Sequence, residues 1–202
     1  MDTTIFSSII TTIIAIVGGI FIAKYYGKKQ LMDVESIIKK LHTISLSDEY
    51  HLTYILANQI KKSGYKPDFI VTISPGGGML GEWLSVKFLG TLKKPIPVYN
   101  LWIDVKRDSK GRHLETPIAS KFEPTRTCSA NTKILLVNDT SRTGSTLKIA
   151  KETLEETFSD CGCEIKIAVL FRSTDANKPH PDFYVEETSH KIRFEWKDKS
   201  RY

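Results

Sequence analysis

Twice in this chain a short, largely apolar run ends in a turn of small residues and passes straight into a helix-forming stretch. The first run is Phe69–Ser74, followed by Pro75, Gly76, Gly77 and Gly78 and then by Met79–Leu89. The second is Lys133–Val137, followed by Asn138–Thr143 and then by Gly144–Phe158. Runs this short, bounded by turn residues, suit strands covered on both faces better than buried helices. Strand–turn–helix units of this kind build a parallel sheet flanked by helices, with ligand sites at the carboxyl ends of the strands. Val98–Val105 and Ile165–Phe171 continue the alternation as further strands, and the aromatic stretch Phe183–Trp196 reads as strand-like. Ahead of them, Ser47 with Asp48 and Glu49 opens a helix whose apolar stripe is Leu52, Ile55, Leu56 and Ile60, ending at Gly64. Ser109–Ala130 is polar and irregular and reads as a loop or hairpin. The expected fold class is therefore α/β, and no internal repeat interrupts it.

The 202 residues suit one domain plus an appendage. The appendage is Thr3–Ala23, which has no charged residue and is long enough as a helix to span the ~30 Å of a hydrocarbon core. The chain opens Met1-Asp2, without the positive start of a signal peptide. Lys24, Lys28 and Lys29 follow the apolar run, with Tyr25 and Tyr26 at its boundary. The expectation is one transmembrane anchor over 1–24, a linker over 25–46 with a short helix at Leu31–Leu41, and a folded domain over 47–202. By the positive-inside rule that domain is expected on the cytoplasmic side of the cell membrane. The formal charge of +6 suits anionic partners, among them phosphorylated small molecules and lipid. The basic runs are not interleaved with aromatic residues, so nucleic acid is not an expected partner. The three cysteines, Cys128, Cys161 and Cys163, are too few and too odd in number for a disulfide scaffold and argue for a reducing compartment. Cys161-Gly162-Cys163 has no second ligand pair at metal-site spacing and reads as a turn before a strand.

The two turns carry the chemistry. In the first, Gly76, Gly78 and Gly81 spell G-x-G-x-x-G, with Asp104 at the end of the next strand, as in a dinucleotide fingerprint. Against that reading, Pro75 removes an amide donor, and the second turn is left unexplained. The second turn offers hydroxyls and amides at a helix N-terminus, where the macrodipole favours an anion. Its spacing is not that of a Walker loop. A hydroxyl-rich helix cap accounts for one or two of these residues, but not for an acidic strand end followed by a dense run of Ser, Thr and Gly. Thr140, Ser141, Thr143, Gly144, Ser145 and Thr146 are the residues expected to hold a phosphate.

Ile134–Leu147 resembles the phosphoribosyl pyrophosphate (PRPP) signature of type I phosphoribosyltransferases: an apolar strand, two acidic residues, then a Thr-Gly-x-Thr loop. Tyr65–Val71 with Ser74–Gly78 resembles the family's strand and pyrophosphate loop. Pro181–Thr188 and Phe194–Trp196 resemble the C-terminal hood of purine-type, xanthine/guanine-like members. The resemblance covers about Ser47 to Trp196. It implies a parallel sheet with a hood and a mobile loop. It also implies transfer of ribose 5-phosphate from PRPP to a nitrogenous base or related acceptor, with pyrophosphate released and Mg²⁺ bound. Carried over residue by residue, it makes Asp139 and Arg142 catalytic and puts Asn138 and Asp139 at the metal. Ser74, Pro75, Gly76 and Gly77 become the pyrophosphate loop, and Arg172, Lys191 and Trp196 the base or acceptor contacts. Ser74-Pro75 is expected to be cis, or Gly76–Gly78 at least to offer free amides. Lys106, Arg107 and Arg112 fall in the expected mobile loop, and a homodimer follows by analogy. Five positions depart from the pattern. Asn138 replaces the first acidic residue, Arg142 stands where purine-type members often carry an acid, Pro75 replaces the usual Arg or similar residue of the pyrophosphate loop, Lys191 stands at a Trp position, and Ser173 stands near the base-reading Lys. The ribose-phosphate half of the site is kept and the base half is rewritten. Beside the enzyme, two readings stay open: a membrane-tethered sensor that binds PRPP or a nucleotide without turnover, and a Rossmann dinucleotide-binding protein.

Overall fold

A computed structural model describes residues 43–92, 94–104, 118–120, 122, 128–174, 179–189 and 192–197. The chain forms two units, 1–43 and 44–202, and all described residues but Thr43 belong to the second. Six strands make one sheet: β2 (Phe69–Ser74), β3 (Val98–Asp104), β4 (Ile118–Ala119), β5 (Lys133–Ser141), β6 (Glu164–Ser173) and β7 (Phe183–Thr188). Their order is β4-β3-β2-β5-β6-β7, with every pairing parallel except β3 with β4. Among the described residues three helices flank it: α1 (Leu46–Lys62), α2 (Gly78–Leu92) and α3 (Ser145–Thr157). The short strands β1 (Thr43–Ile44) and β8 (Arg193–Phe194) pair with each other, and a 3₁₀ turn, Glu195–Lys197, follows β8. All six residues of β2 are buried, as expected of a strand covered on both faces. Ile70, Val71, Leu135, Leu136, Val169 and Leu170 are fully excluded from water at the centre of the core.

The α/β expectation holds, and the differences are at boundaries. The first helix is capped by Ser45 rather than Ser47. Ser45 accepts the Asp48 amide at 3.1 Å while Asp48 accepts the Ser45 amide at 3.2 Å, a reciprocal box that Ser47 is out of register to make. β5 runs on to Ser141, four residues beyond its apolar stretch, because β6 continues alongside and pairs Asn138 with Val169, Thr140 with Phe171 and Ser141 with Arg172. Phe183–Trp196 is broken into β7, β8 and the final turn. Within Ser109–Ala130, Ile118–Ala119 runs antiparallel to β3.

The expected anchor Thr3–Ala23 and the helix Leu31–Leu41 lie outside the described residues. Among the described residues no helix is long and apolar enough to cross a membrane. The longest, α1, has 17 residues and carries Asp48, Glu49, Lys61 and Lys62, whereas a span takes about 20 mostly apolar residues. On that finding the expected location, anchored in the cell membrane with a cytoplasmic domain, is withdrawn.

Candidate active site

Asp139 occupies the carboxyl end of β5, between β2 and β6 in the sheet, and is 2% exposed. Its Oδ1 accepts the Thr140 amide at 2.6 Å and the Thr140 hydroxyl at 3.2 Å. Beside it, the Asn138 side-chain amide donates to the Thr140 carbonyl at 2.9 Å. These local bonds fix the two side chains at the end of the strand, and the first glycine turn lies against them. A Cβ placed on Gly76 would stand 3.0 Å from each carboxylate oxygen of Asp139 and 3.1 Å from Asn138 Oδ1. On Gly77 it would stand 2.6 Å from the Val137 carbonyl oxygen and 3.2 Å from the Asn138 Cα. A side chain at Gly77 collides with the β5 backbone, and one at Gly76 presses on the Asp139 and Asn138 side chains, so glycine lets the turn approach this closely.

The first turn is short and braced. The Ser74-Pro75 peptide is cis, β2 ends at Ser74 and α2 begins at Gly78. Pro75 is exposed, Gly76 and Gly77 are buried, and the Gly77 amide is turned inward to the Ile73 carbonyl at 2.7 Å. Asn100, in the middle of β3, holds the strand side of the turn. Its Oδ1 accepts the Thr72 hydroxyl at 2.5 Å and the Ser74 hydroxyl at 3.0 Å. Sequence reasoning passed over this residue. A lone Asn in a strand has no local signature, and only the register that pairs Thr72 with Asn100 reveals its role.

The second turn leads into α3 through Gly144, which takes the left-handed conformation at φ 79° and brings no capping side chain. The Ser145 amide donates to the Thr143 hydroxyl at 3.4 Å, and that hydroxyl also meets the Ser145 hydroxyl at 2.9 Å. No acidic residue stands in the first turn of α3. Its positive end and the hydroxyls of Thr143 and Ser145 therefore share one small region, suited to an anion. Arg142 and Thr143 are exposed there, Ser145 and Thr146 half-buried, and Ser141 buried. Thr140 and Ser141 belong to β5 rather than to the loop.

The expected acceptor residues separate. Arg172 pairs with Glu187 and lies over the Tyr184 ring, 4.2 Å from its centroid. The register sets Ser141, Arg172 and Glu187 in one row across β5, β6 and β7. Within that row the Ser141 hydroxyl oxygen and Arg172 Nε are buried with no hydrogen-bond partner. Trp196 instead donates its indole N–H to Glu49 Oε2 at 2.8 Å and packs on Phe194, fastening the chain end to α1. Lys191, Lys106, Arg107 and Arg112 lie outside the described residues. No three His, Cys, Asp or Glu side chains converge as a metal site among the described residues. The hard oxygens of Asp139 and Asn138 do converge on Gly76, a donor set that fits Mg²⁺, which commonly takes one or two carboxylates and completes its shell with water and substrate oxygens.

Residues 49–199 match the phosphoribosyl transferase domain family. The chain belongs to the phosphoribosyltransferase family. The phosphoribosyltransferase fold also recurs in solved structures. A purine phosphoribosyltransferase from Pyrococcus horikoshii is 27% identical, with a TM-score of 0.59 over 77% of this chain and 94% of that one. A xanthine-guanine-hypoxanthine phosphoribosyltransferase from Helicobacter pylori is 21% identical, with a TM-score of 0.63 over 79% and 96%. A protein from Neisseria gonorrhoeae with bound ppGpp is 18% identical, with a TM-score of 0.58 over 77% and 89%. No curated protein matches the chain. Family membership makes this chain an enzyme of PRPP-dependent phosphoribosyl transfer, and it replaces the dinucleotide reading of Gly76, Gly78, Gly81 and Asp104.

Proposed function

We propose that this phosphoribosyltransferase binds PRPP across its two turns and transfers the ribose 5-phosphate to a purine-type base. The observation that carries this reading is the contact of Gly76 with Asp139, which brings a glycine turn suited to pyrophosphate against a carboxylate suited to ribose hydroxyls. Thr143, Gly144, Ser145 and Thr146 hold the 5-phosphate with hydroxyls and helix-end amides. Asp139 accepts from the ribose hydroxyls, and Asn138 adds a neutral oxygen beside it. Buried in the sheet, the carboxylate is already oriented when substrate arrives, and it stabilises the positive charge that develops on the ribose as the C1–oxygen bond breaks. Asp139 and Asn138 are the residues that would hold Mg²⁺, whose chemistry when bound is to neutralise charge on the departing pyrophosphate. Arg142, exposed on the turn, adds positive charge at the anionic end. The purine acceptor is drawn from the Pyrococcus relative, and its place is the row of Ser141, Arg172 and Glu187, where two buried polar atoms await partners.

Calorimetry with PRPP and Mg²⁺, beside a pyrophosphate-release assay with purine bases, tests this. Charge-assisted hydrogen bonds contribute about 1.5–3 kcal/mol each, so Asp139→Ala weakens PRPP binding roughly tenfold or more. Gly76→Ala, which crowds the same carboxylate, weakens it in the same direction. PRPP affinity unchanged in both variants would remove the reading. A second reading is favoured by Asn138, which brings no charge, and by Arg172, which is engaged by Glu187. It is a nucleotide-binding protein without turnover; the Neisseria protein of the same fold carries a bound nucleotide, ppGpp. Tight binding of PRPP or a guanine nucleotide with no pyrophosphate released from any base would favour it.

A further inference from the structure

Away from this site, all three cysteines meet at the amino ends of β5 and β6, although they are far apart in sequence. The Sγ atoms of Cys128 and Cys163 are 2.6 Å apart across 35 positions. That is well inside the roughly 3.5–4.0 Å that non-bonded carbon atoms keep, and sulfur is larger. Cys161 points at the same place, its thiol donating to the Cys128 carbonyl at 3.4 Å. Each backbone is held where it is. On one side, Thr132 closes a turn by accepting the Ser129 amide at 3.0 Å and donating to the Ser129 carbonyl at 2.8 Å. On the other, the Cys161 amide donates to Phe158 at 3.0 Å, and Gly162 turns the chain with φ 61°. The Glu164 amide, donating to the Thr132 carbonyl at 2.9 Å, ties the two sides together. The thiols do not form a metal cluster among the described residues.

We propose that Cys128 and Cys163 are a reversible disulfide pair, closed by thiol–disulfide exchange with a small-molecule disulfide. One thiol attacks the small disulfide, forming a mixed disulfide and releasing one small thiol. The neighbouring thiol then displaces the second small thiol, so the two protein thiols lose two hydrogens and the reagent gains them. Burial, together with the Cys128 thiol beside it, pushes the Cys163 thiol up to about 12, so Cys163 is protonated at neutral pH. The link encloses β5, the phosphate turn and α3 in one covalent loop. It joins that unit at the amino ends of β5 and β6, opposite the ligand end of the sheet. Its effect is on the stability of the phosphate-binding unit, whatever the acceptor of the reaction turns out to be.

The test is a titration of the full chain with oxidised and reduced glutathione, followed by alkylation and non-reducing peptide mapping. The expected result is a cross-linked peptide pair joined through Cys128 and Cys163, a mass lower by two hydrogens, and full reversal by dithiothreitol. The linked protein melts higher by on the order of 10 °C. Cys161→Ser keeps the cross-link and the shift, while Cys163→Ser loses both. Thiols that stay free in excess oxidised glutathione, glutathione adducts without a cross-link, or a link made through Cys161 would each overturn the proposal. The wild-type peptide map decides this even if a variant fails to fold.

Discussion

At the scale of single residues, the site depends on close approach more than on charge. Gly77 matters because the backbone of β5 leaves no room for a Cβ, Gly76 because a Cβ there would press on Asp139 and Asn138, and Asp139 because two bonds from Thr140 aim it at that gap. Both were visible in the sequence, since an acidic residue at a strand end and a run of glycines after a strand are local patterns. Asn100 was not, because its meaning lies in the strand beside it. It leads to a sharp expectation. Asn100 is exposed, so Asn100→Ala leaves the fold intact, but Thr72 and Ser74 lose a shared acceptor and the cis turn loses its brace. PRPP dissociation constants measured by calorimetry should rise roughly five- to tenfold, the equivalent of one ordinary hydrogen bond at about 1–1.4 kcal/mol. Asn100→Asp keeps the acceptor and should restore most of the affinity. Equal affinity in wild type and Asn100→Ala would assign the positioning of Ser74 to the turn itself.

At the scale of elements, the alternation of strands and helices was legible throughout, and the boundaries were not. β5 shows why. Its apolar pattern stops at Val137, and only the neighbouring strand, running on to Ser173, makes strand out of Asn138–Ser141. The start of α1 shows the same thing in a different form. Ser45 and Ser47 are both plausible caps by composition, and the reciprocal bonds between Ser45 and Asp48 decide between them. That box makes a pH prediction. The Ser45 hydroxyl, and then the Ser45 amide, hold the Asp48 carboxyl below its ordinary value of 3.8. A carboxyl lowered in the folded state contributes its stability fully above the ordinary value and loses it as pH falls through the lowered one. Melting temperatures of wild type and Asp48→Asn should therefore differ at neutral pH, with wild type higher, and converge on acidification below about pH 4. A gap that persists at low pH would show that Asp48 acts through something other than its charge.

At the scale of the whole molecule, the last described residues close the fold against the first helix. Trp196 reaches Glu49 across 147 positions, and Phe194 lies 2% exposed between Phe171 and Trp196. No local pattern could have announced that partnership, and the sequence reading accordingly offered Trp196 to the acceptor. Trp196→Phe keeps the ring against Phe194 and removes only the indole donor. It should destabilise the protein by about 1 kcal/mol, a fall of roughly 2–4 °C in Tm, with PRPP affinity unchanged. A loss of acceptor turnover without a change in Tm would return Trp196 to the active site. The order of the sheet carries a last consequence. The carboxylate proposed to serve the sugar rides on β5, clamped between two parallel neighbours, while Arg172, Tyr184 and Glu187 stand on β6 and β7 toward the margin. Substitutions on those outer strands disturb few of the contacts that aim Asp139. On the proposed reading, the lineage of this chain is free to trade one acceptor for another at its periphery while inheriting an unchanged grip on the sugar phosphate.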